Sequence, residues 1–215
     1  MTMEALRVVL EGTVTSFRYP HFVQGVQPTY PMPPPATIYG HVCSALGELV
    51  PPESFRAAIH FTAAARFQDY EHTHLVRHGE TPQMTPFVRH LLFQPRLTLY
   101  LDRPEWETVF RTPRYIVTLG RSQDLMRCAG VEPVTLARAP QAYAEHTLLP
   151  LTEATAVTRF TAQTMPRWLT PEREPRWSQY ALLSEPQAYP QPSWVDDSAP
   201  NWRELPRAVF WLSFV

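Results

Sequence analysis

The order of periodic segments predicts an α+β fold built on an antiparallel sheet. Three observations carry that expectation. The opening run ALRVVLEGTVTSF (5–17) is β-branched and partly alternating, as a half-buried strand is. A stripe of apolar residues at helical spacing follows from Pro35. Strand-like runs then recur down the chain between Pro- and Gly-rich breaks.

The first strand is predicted to end near Ser16, and residues 18–35 form a long connection punctuated by Pro and Gly. A helix is predicted from Pro35 to Leu49. Ile38, Val42, Cys43, Leu46 and Leu49 share one face, and Pro51-Pro52 stops it. AAIHFTAAARFQDY (57–70) reads as a second long strand. Residues 71–95 read as a hairpin excursion with its tip near Gly79–Pro82, and RLTLYLD (96–102) as another strand. RYIVTLGRSQDLMRC (114–128) reads as strand, glycine turn and short helix, and VEPVTLAR (131–138) as a strand. Weak strands are expected near 154–161 and 177–183. Residues 184–206, rich in Pro, Ser and Asp, are expected to be irregular, and RAVFWLSFV (207–215) to be a closing strand. No fixed-period repeat is visible. The order β, α, β, hairpin, β and then mixed elements suits split-βαβ or ferredoxin-like folds. The expectation is a single domain over residues 1–215.

Hydrophobic residues make up 44% of the chain, enough for a core, and no stretch reaches the roughly 18 unbroken apolar residues of a membrane span. Glu4 and Arg7 interrupt the first apolar run, unlike a signal peptide. Cys43 and Cys128 suit reduced thiols, so a cytoplasmic protein with no membrane contact is expected. A net charge of −1 argues against a free-standing, non-specific nucleic-acid binder. The charge is nevertheless uneven. No acid lies between Glu11 and Glu48, and from Arg77 to Arg121 seven arginines face four acids. That pattern suits contact with a polyanion over part of the surface. All 19 basic residues are arginine, which excludes Schiff-base chemistry, a phosphate-loop lysine and lysine-assisted RNA cleavage.

His72, His74 and His78 have a metal-like spacing, but a structural zinc site needs about four ligands and the cysteines lie far off in sequence. Solvated or RNA-facing histidines fit better, and no metal or cofactor is expected. No serine lies in a GxSxG context, and neither cysteine has a nucleophile's signature. His21, Tyr19, Tyr30 and His41 could supply part of an acid–base centre for RNA cleavage. LGRSQDL (119–125) reads equally as a phosphate-cradling turn before a helix or as a plain turn. Aromatics interleaved with arginine, in SFRYPHF and PFVRHLLF, suit either base stacking or core packing.

TVTSFRYPHF followed by PTYPMPPPATIYGHVCSALGE resembles the CRISPR-associated protein 5 family of the RAMP superfamily. The matching residues are Ser16-Phe17-Arg18, Pro31 to Pro35, Thr37, Gly40 and Ala45-Leu46-Gly47. PRLTLYL (95–101) is similar to the strand after that family's thumb hairpin, and LGRSQDL to its Leu-Gly-Arg-Ser turn. The likeness spans roughly residues 5–126 and is nearest subtype I-B. It implies a ferredoxin-like (RRM-like) palm with a protruding β-hairpin thumb, about residues 71–95. It also implies a non-catalytic subunit of a type I Cascade complex that grips the 5′ handle of the crRNA. Its partners would be the backbone subunit, the large subunit and, indirectly, target DNA near the protospacer-adjacent motif. On this resemblance Arg18 and Tyr30 would lie beside the handle. Thr37 would offer its hydroxyl and helix-start N–H groups, and Gly40 and His41 would permit close approach. Gly120, Arg121 and Ser122 would form a second gripping turn. Arg77, Arg89 and His90 would line the thumb, with Met84 or Phe87 as a wedge. In subtype I-C the same fold is an endoribonuclease using Tyr, Lys and His. The absence of lysine leaves that triad incomplete, and metal-independent processing of precursor crRNA is the alternative.

Overall fold

The computed structural model describes residues 1–22, 25–79, 81 and 83–215. Strand β1 (Thr2–Gly12) is its axis. Leu6, Val8 and Leu10 point into the main core while Ala5 packs on the opposite face beside Ala58 and Tyr100, as the two-residue period of a strand requires. The short strands β2 (Val14–Thr15) and β3 (Val26–Gln27) follow, and then helix α1 (Pro35–Leu46). The helix stops three residues before the predicted end. Gly47 takes the left-handed conformation (φ 84°) and donates its N–H to the Cys43 carbonyl at 2.9 Å.

The predicted strand over 57–70 is two strands. β4 (Ala57–Thr62) is buried in the sheet, whereas β5 (Ala65–Leu75) is exposed nearly throughout and swings out to pair with β6 (Gln83–Phe93). The apolar alternation stops at Phe61, so nothing holds the later residues to the core. The projecting hairpin therefore starts at Ala65, earlier than the expected 71. Its expected tip includes Glu80 and Pro82, which lie outside the described residues. β2 and β3 flank the base of β6. β7 (Arg96–Leu101) returns to the sheet, followed by a 3-10 turn (Pro104–Trp106) and the short helix α2 (Glu107–Arg111).

Residues 114–125 hold neither the expected strand nor the expected helix. They form a closed turn, with an isolated bridge between Thr118 and Leu125, before β8 (Met126–Ala139) begins. The second half departs furthest from expectation. β9 (Ala142–Ala144) and β10 (Thr147–Pro150) precede a 3-10 helix over Leu151–Ala156, where a weak strand was expected. β11 (Thr161–Leu169) and β12 (Pro175–Leu183) form a hairpin. Residues 184–206 are not wholly irregular. They contain β13 (Gln187–Tyr189) and β14 (Ser193–Asp196), whose Tyr189 and Val195 fill a second apolar cluster. The closing strand shrinks to β15 (Arg207–Val209), while Leu212 pairs with Ala57 and Phe214 is fully buried.

The main sheet runs β13-β9-β15-β14-β8-β1-β7-β4. The four strands at one end of it, β8-β1-β7-β4, are antiparallel throughout, with α1 between β1 and β4 and α2 between β7 and β8 in the chain. The result is a mixed α/β structure that is mostly sheet. α1 covers one face and the small sheet β10-β12-β11 completes the main core. The other face is cross-tied by charge. Arg7 binds Asp196 at 2.7 Å, Tyr100 donates to Asp196 at 2.6 Å, and Arg207 donates to the Tyr100 hydroxyl at 2.7 Å. Among the described residues no helix is long and apolar enough to cross a membrane.

Candidate nucleic-acid interface

The Pro-rich stretch enters α1 already shaped for it. Pro34 is extended at the N-cap (ψ 147°) and Pro35 occupies the first turn, where its missing N–H is no loss. Pro33, Pro34 and Pro35 are buried. The Thr37 and Ile38 amides both bond to the Pro34 carbonyl, at 2.8 and 3.3 Å. This corrects one expectation: Thr37 can offer its hydroxyl, but its amide is already used. No acid lies in the first turn.

Beside this helix start lies a cleft of about 740 Å³. Three separate stretches, 16–20, 34–44 and 118–121, meet there, joined by residues 166–175 of the β11–β12 hairpin. Of the residues predicted from the sequence, Arg18, Thr37, Gly40, His41, Gly120 and Arg121 line it. The lining holds three arginines, Arg18, Arg121 and Arg173, and no acid. Gly40 is exposed with open space where a side chain would stand, so a ligand can come close to the helix backbone there.

Gly120 is required for a different reason. Its φ is 99°, and a Cβ would meet Thr15 Oγ1 at 2.5 Å and the Ser16 carbonyl at 2.6 Å. The turn and the Ser16-Phe17-Arg18 segment therefore touch backbone to backbone. Asp124, nearly fully buried, ties them. Its Oδ2 accepts the Ser16 N–H and the Arg121 N–H, both at 3.1 Å, and its Oδ1 accepts Arg121 NH2 at 2.8 Å. Those bonds close the turn in place of the predicted helix.

Arg121 is less available than its position suggests. Besides Asp124 it binds Glu71 of β5 at 2.7 Å. Burial opposes its charge, but Asp124 and Glu71 more than offset that and raise its pKa above the usual arginine value. Glu71 also binds Arg89 at 2.8 Å, and Arg89 lies over the Phe87 ring. This carboxylate therefore latches the β5–β6 hairpin to the 118–125 turn.

Burial pushes the His41 pKa down to about 4, with the Thr118 backbone working the other way. The ring is therefore a neutral wall of the cleft at neutral pH, and its Nε2 has no partner among the described residues. Tyr30 needs outright correction. It is fully buried, stacks on Tyr19 with centroids 3.7 Å apart, and donates its hydroxyl to the Thr164 carbonyl at 3.2 Å. It is a core residue and presents no surface to a ligand.

Ser122 is exposed on the turn but outside the cleft lining. Arg77, Arg89 and His90 belong to the hairpin, away from that lining, and His90 lies 2.8 Å from Arg66 and 3.1 Å from Gln68. Its pKa is pushed down by burial and by Arg66. Met84 is exposed, while Phe87 is buried and is not free to act as a wedge. The residues missed in sequence are Asp124, Glu71 and the 166–175 wall. Asp124, three residues after Arg121, carried a readable local signal of a brace; Arg173 carried none.

No protein-family model matches the sequence, and no curated protein matches it. Solved structures do resemble the fold. A chain of a CRISPR RNA-guided surveillance complex superposes with a TM-score of 0.60 at 14% identity, covering 86% of this chain and 91% of that one. The chain shares that fold. A CRISPR protein from Archaeoglobus fulgidus gives a TM-score of 0.48 at 10% identity, over 85% of this chain and 87% of that one. A further CRISPR-associated protein gives 0.39 at 11%, over 86% and 94%.

Proposed function

We propose that this chain is a non-catalytic subunit of a type I CRISPR surveillance complex, with the role of the CRISPR-associated protein 5 family. It would hold the 5′ handle of the crRNA in the cleft at the start of α1. In this reading the strands β8-β1-β7-β4 with α1 and α2 are the ferredoxin-like palm, and β5–β6 is the thumb. The subunit bridges the backbone and large subunits in the cytoplasm and meets target DNA only indirectly, near the protospacer-adjacent motif. Subtype I-B is the nearest assignment.

One observation carries the proposal. Of the segments on which the sequence resemblance rests, three (16–18, 31–47 and 119–125) send residues into one acid-free, arginine-lined cleft, while 95–101 does not reach it. They do so on a fold shared with a chain of a CRISPR RNA-guided surveillance complex. A cationic cleft with open backbone approach at Gly40 suits the phosphate backbone of a loop or hook of RNA. The non-catalytic part is supported by the fate of two members of the candidate acid–base group. The Tyr30 hydroxyl is committed inside the core, and the His41 ring is enclosed and neutral.

The test is copurification of the tagged protein expressed with its neighbouring genes. A discrete short RNA and several further subunits are expected in the same peak. Recovery without RNA and without partners overturns the reading. Metal-independent cutting of a repeat-containing precursor RNA by the purified chain would replace it with the processing endoribonuclease.

A further inference from the structure

Guanidinium groups in this protein are almost all occupied. Arg121 and Arg89 pair with carboxylates, Arg66 with His90, and Arg176 with Glu174 at 3.7 Å. Among the described residues, three arginine side chains have no hydrogen-bonded, ion-paired or ring partner: Arg18, Arg167 and Arg173. Arg18 and Arg173 line the cleft, and Arg167 follows the lining residue Pro166 at the bulge in β11. The Nε of Arg167 is buried as well as unpartnered. A buried donor without an acceptor is costly and calls for an explanation.

The β11–β12 hairpin is fixed where these groups matter. The Tyr19 hydroxyl donates to Gln163 Oε1 at 3.1 Å and the Tyr30 hydroxyl to the Thr164 carbonyl. The His21 ring stacks on Trp177 with centroids 5.4 Å apart and planes at 24°. Pro175 and Trp177 lie two residues apart on β12 and so share a face. Because Pro175 lines the cleft, the indole continues that wall and meets His21 just beyond Pro20. Trp177 remains 37% exposed. Arg173 sits in the turn of the hairpin at φ 68°, a left-handed conformation that costs a non-glycine residue, with its N–H bonded to the Thr170 carbonyl at 2.8 Å.

We infer that this hairpin is the second half of the nucleic-acid site: Arg173 and Arg167 take backbone phosphates, and the Trp177 indole stacks a base of the same single strand. The inference rests on the RNA reading of the cleft. It extends that reading to residues 161–183, where the sequence carries no motif. A strand held there passes between Arg18 on one wall and Arg173 on the other. Its bases have to be unpaired for one of them to reach the indole.

The test uses the full chain and a fluorescein-labelled pool of single-stranded RNA about 12 nucleotides long, with the same pool as duplex for comparison. Arg173→Ala and Arg167→Ala are expected to weaken binding of the single strand about tenfold each. Each should also lower the slope of log affinity against log salt by about 0.7, and Arg173→Lys should restore that slope. Arg176→Ala, on the same hairpin but paired, should stay within about twofold. Trp177→Ala should abolish the part of the tryptophan quenching that follows binding, with an unchanged melting temperature reporting an intact fold. If Arg18→Ala weakens binding while the three hairpin variants match wild type, the hairpin inference is wrong and the cleft reading stands. If wild type itself ignores the single-stranded pool, both fall.

Discussion

The arginines in and around the cleft carry their charge in two opposite ways. At the 118–121 stretch Arg121 is neutralised by Glu71 and Asp124, and outside the lining Glu71 also pairs with Arg89. On the hairpin side Arg173 and Arg167, like Arg18 across the cleft, have no partner among the described residues. The first arrangement builds the site; the second leaves charge free for a ligand. Counting arginines along the chain cannot separate them, because a guanidinium bound to carboxylates offers little field to an incoming phosphate.

The comparison breaks first at Asp124. Asp124→Ala leaves Arg121 with Glu71 alone and strands two backbone N–H groups in a largely buried place. It should cost about 3 kcal/mol of stability in denaturant unfolding; a loss under about 1 kcal/mol would show that the Asp124–Arg121–Glu71 network is not structural. Acid should act on the same scale. The folded pKa of His41 lies near 4 and that of His60 near 3, both below the ordinary 6.5. The unfolded chain therefore takes up these protons first as pH falls. The stability involved is whole above pH 6.5 and drains as pH drops through 4, with a slope up to about 1.4 kcal/mol per pH unit for each histidine. His41→Gln should flatten the stability–pH profile between pH 6.5 and 4, and an unchanged slope would refute the burial argument for His41.

Gly120→Ala tests the close approach of the turn to Thr15 and Ser16. Positive φ and backbone contact together should cost about 2 kcal/mol in thermal unfolding. Arg18→Ala lies on the other side of the comparison. RNA retention should fall about tenfold, or about 1.4 kcal/mol, while the melting temperature stays put. The smallest effect belongs to Glu71→Gln, a half-exposed latch worth about 1 kcal/mol at most and weaker in high salt. If Glu71→Gln instead strengthens RNA binding, freed Arg121 and Arg89 have joined the ligand side.

Several elements were legible because their signals are local. α1 shows its stripe, its Pro entry and, in Gly47, its stop; β1 and β7 show alternation or an apolar run between breakers. The β4/β5 break was missed because both segments have β-forming residues, and only the absence of a core above β5 sends it outward. The helix expected at LGRSQDL does not form because Asp124 spends its carboxylate on amides of its own turn and of Ser16, a partner more than a hundred residues away in sequence. Tyr30 resembled a ligand contact by its place in the motif, but packing against Tyr19 and β11 took it into the core.

By itself, then, the sequence determined the α+β character, the opening and central strands, the Pro-fed helix and a chemistry without lysine. It also marked the stretches around Arg18, Thr37–His41 and Gly120–Arg121 as candidates. Only the tertiary structure decided that these stretches share one cleft and that a hairpin with no motif walls it. It alone decided which arginines remain free. The reason is physical: periodicity and turn chemistry act within a few residues, whereas charge pairing and burial depend on partners brought from anywhere in the chain.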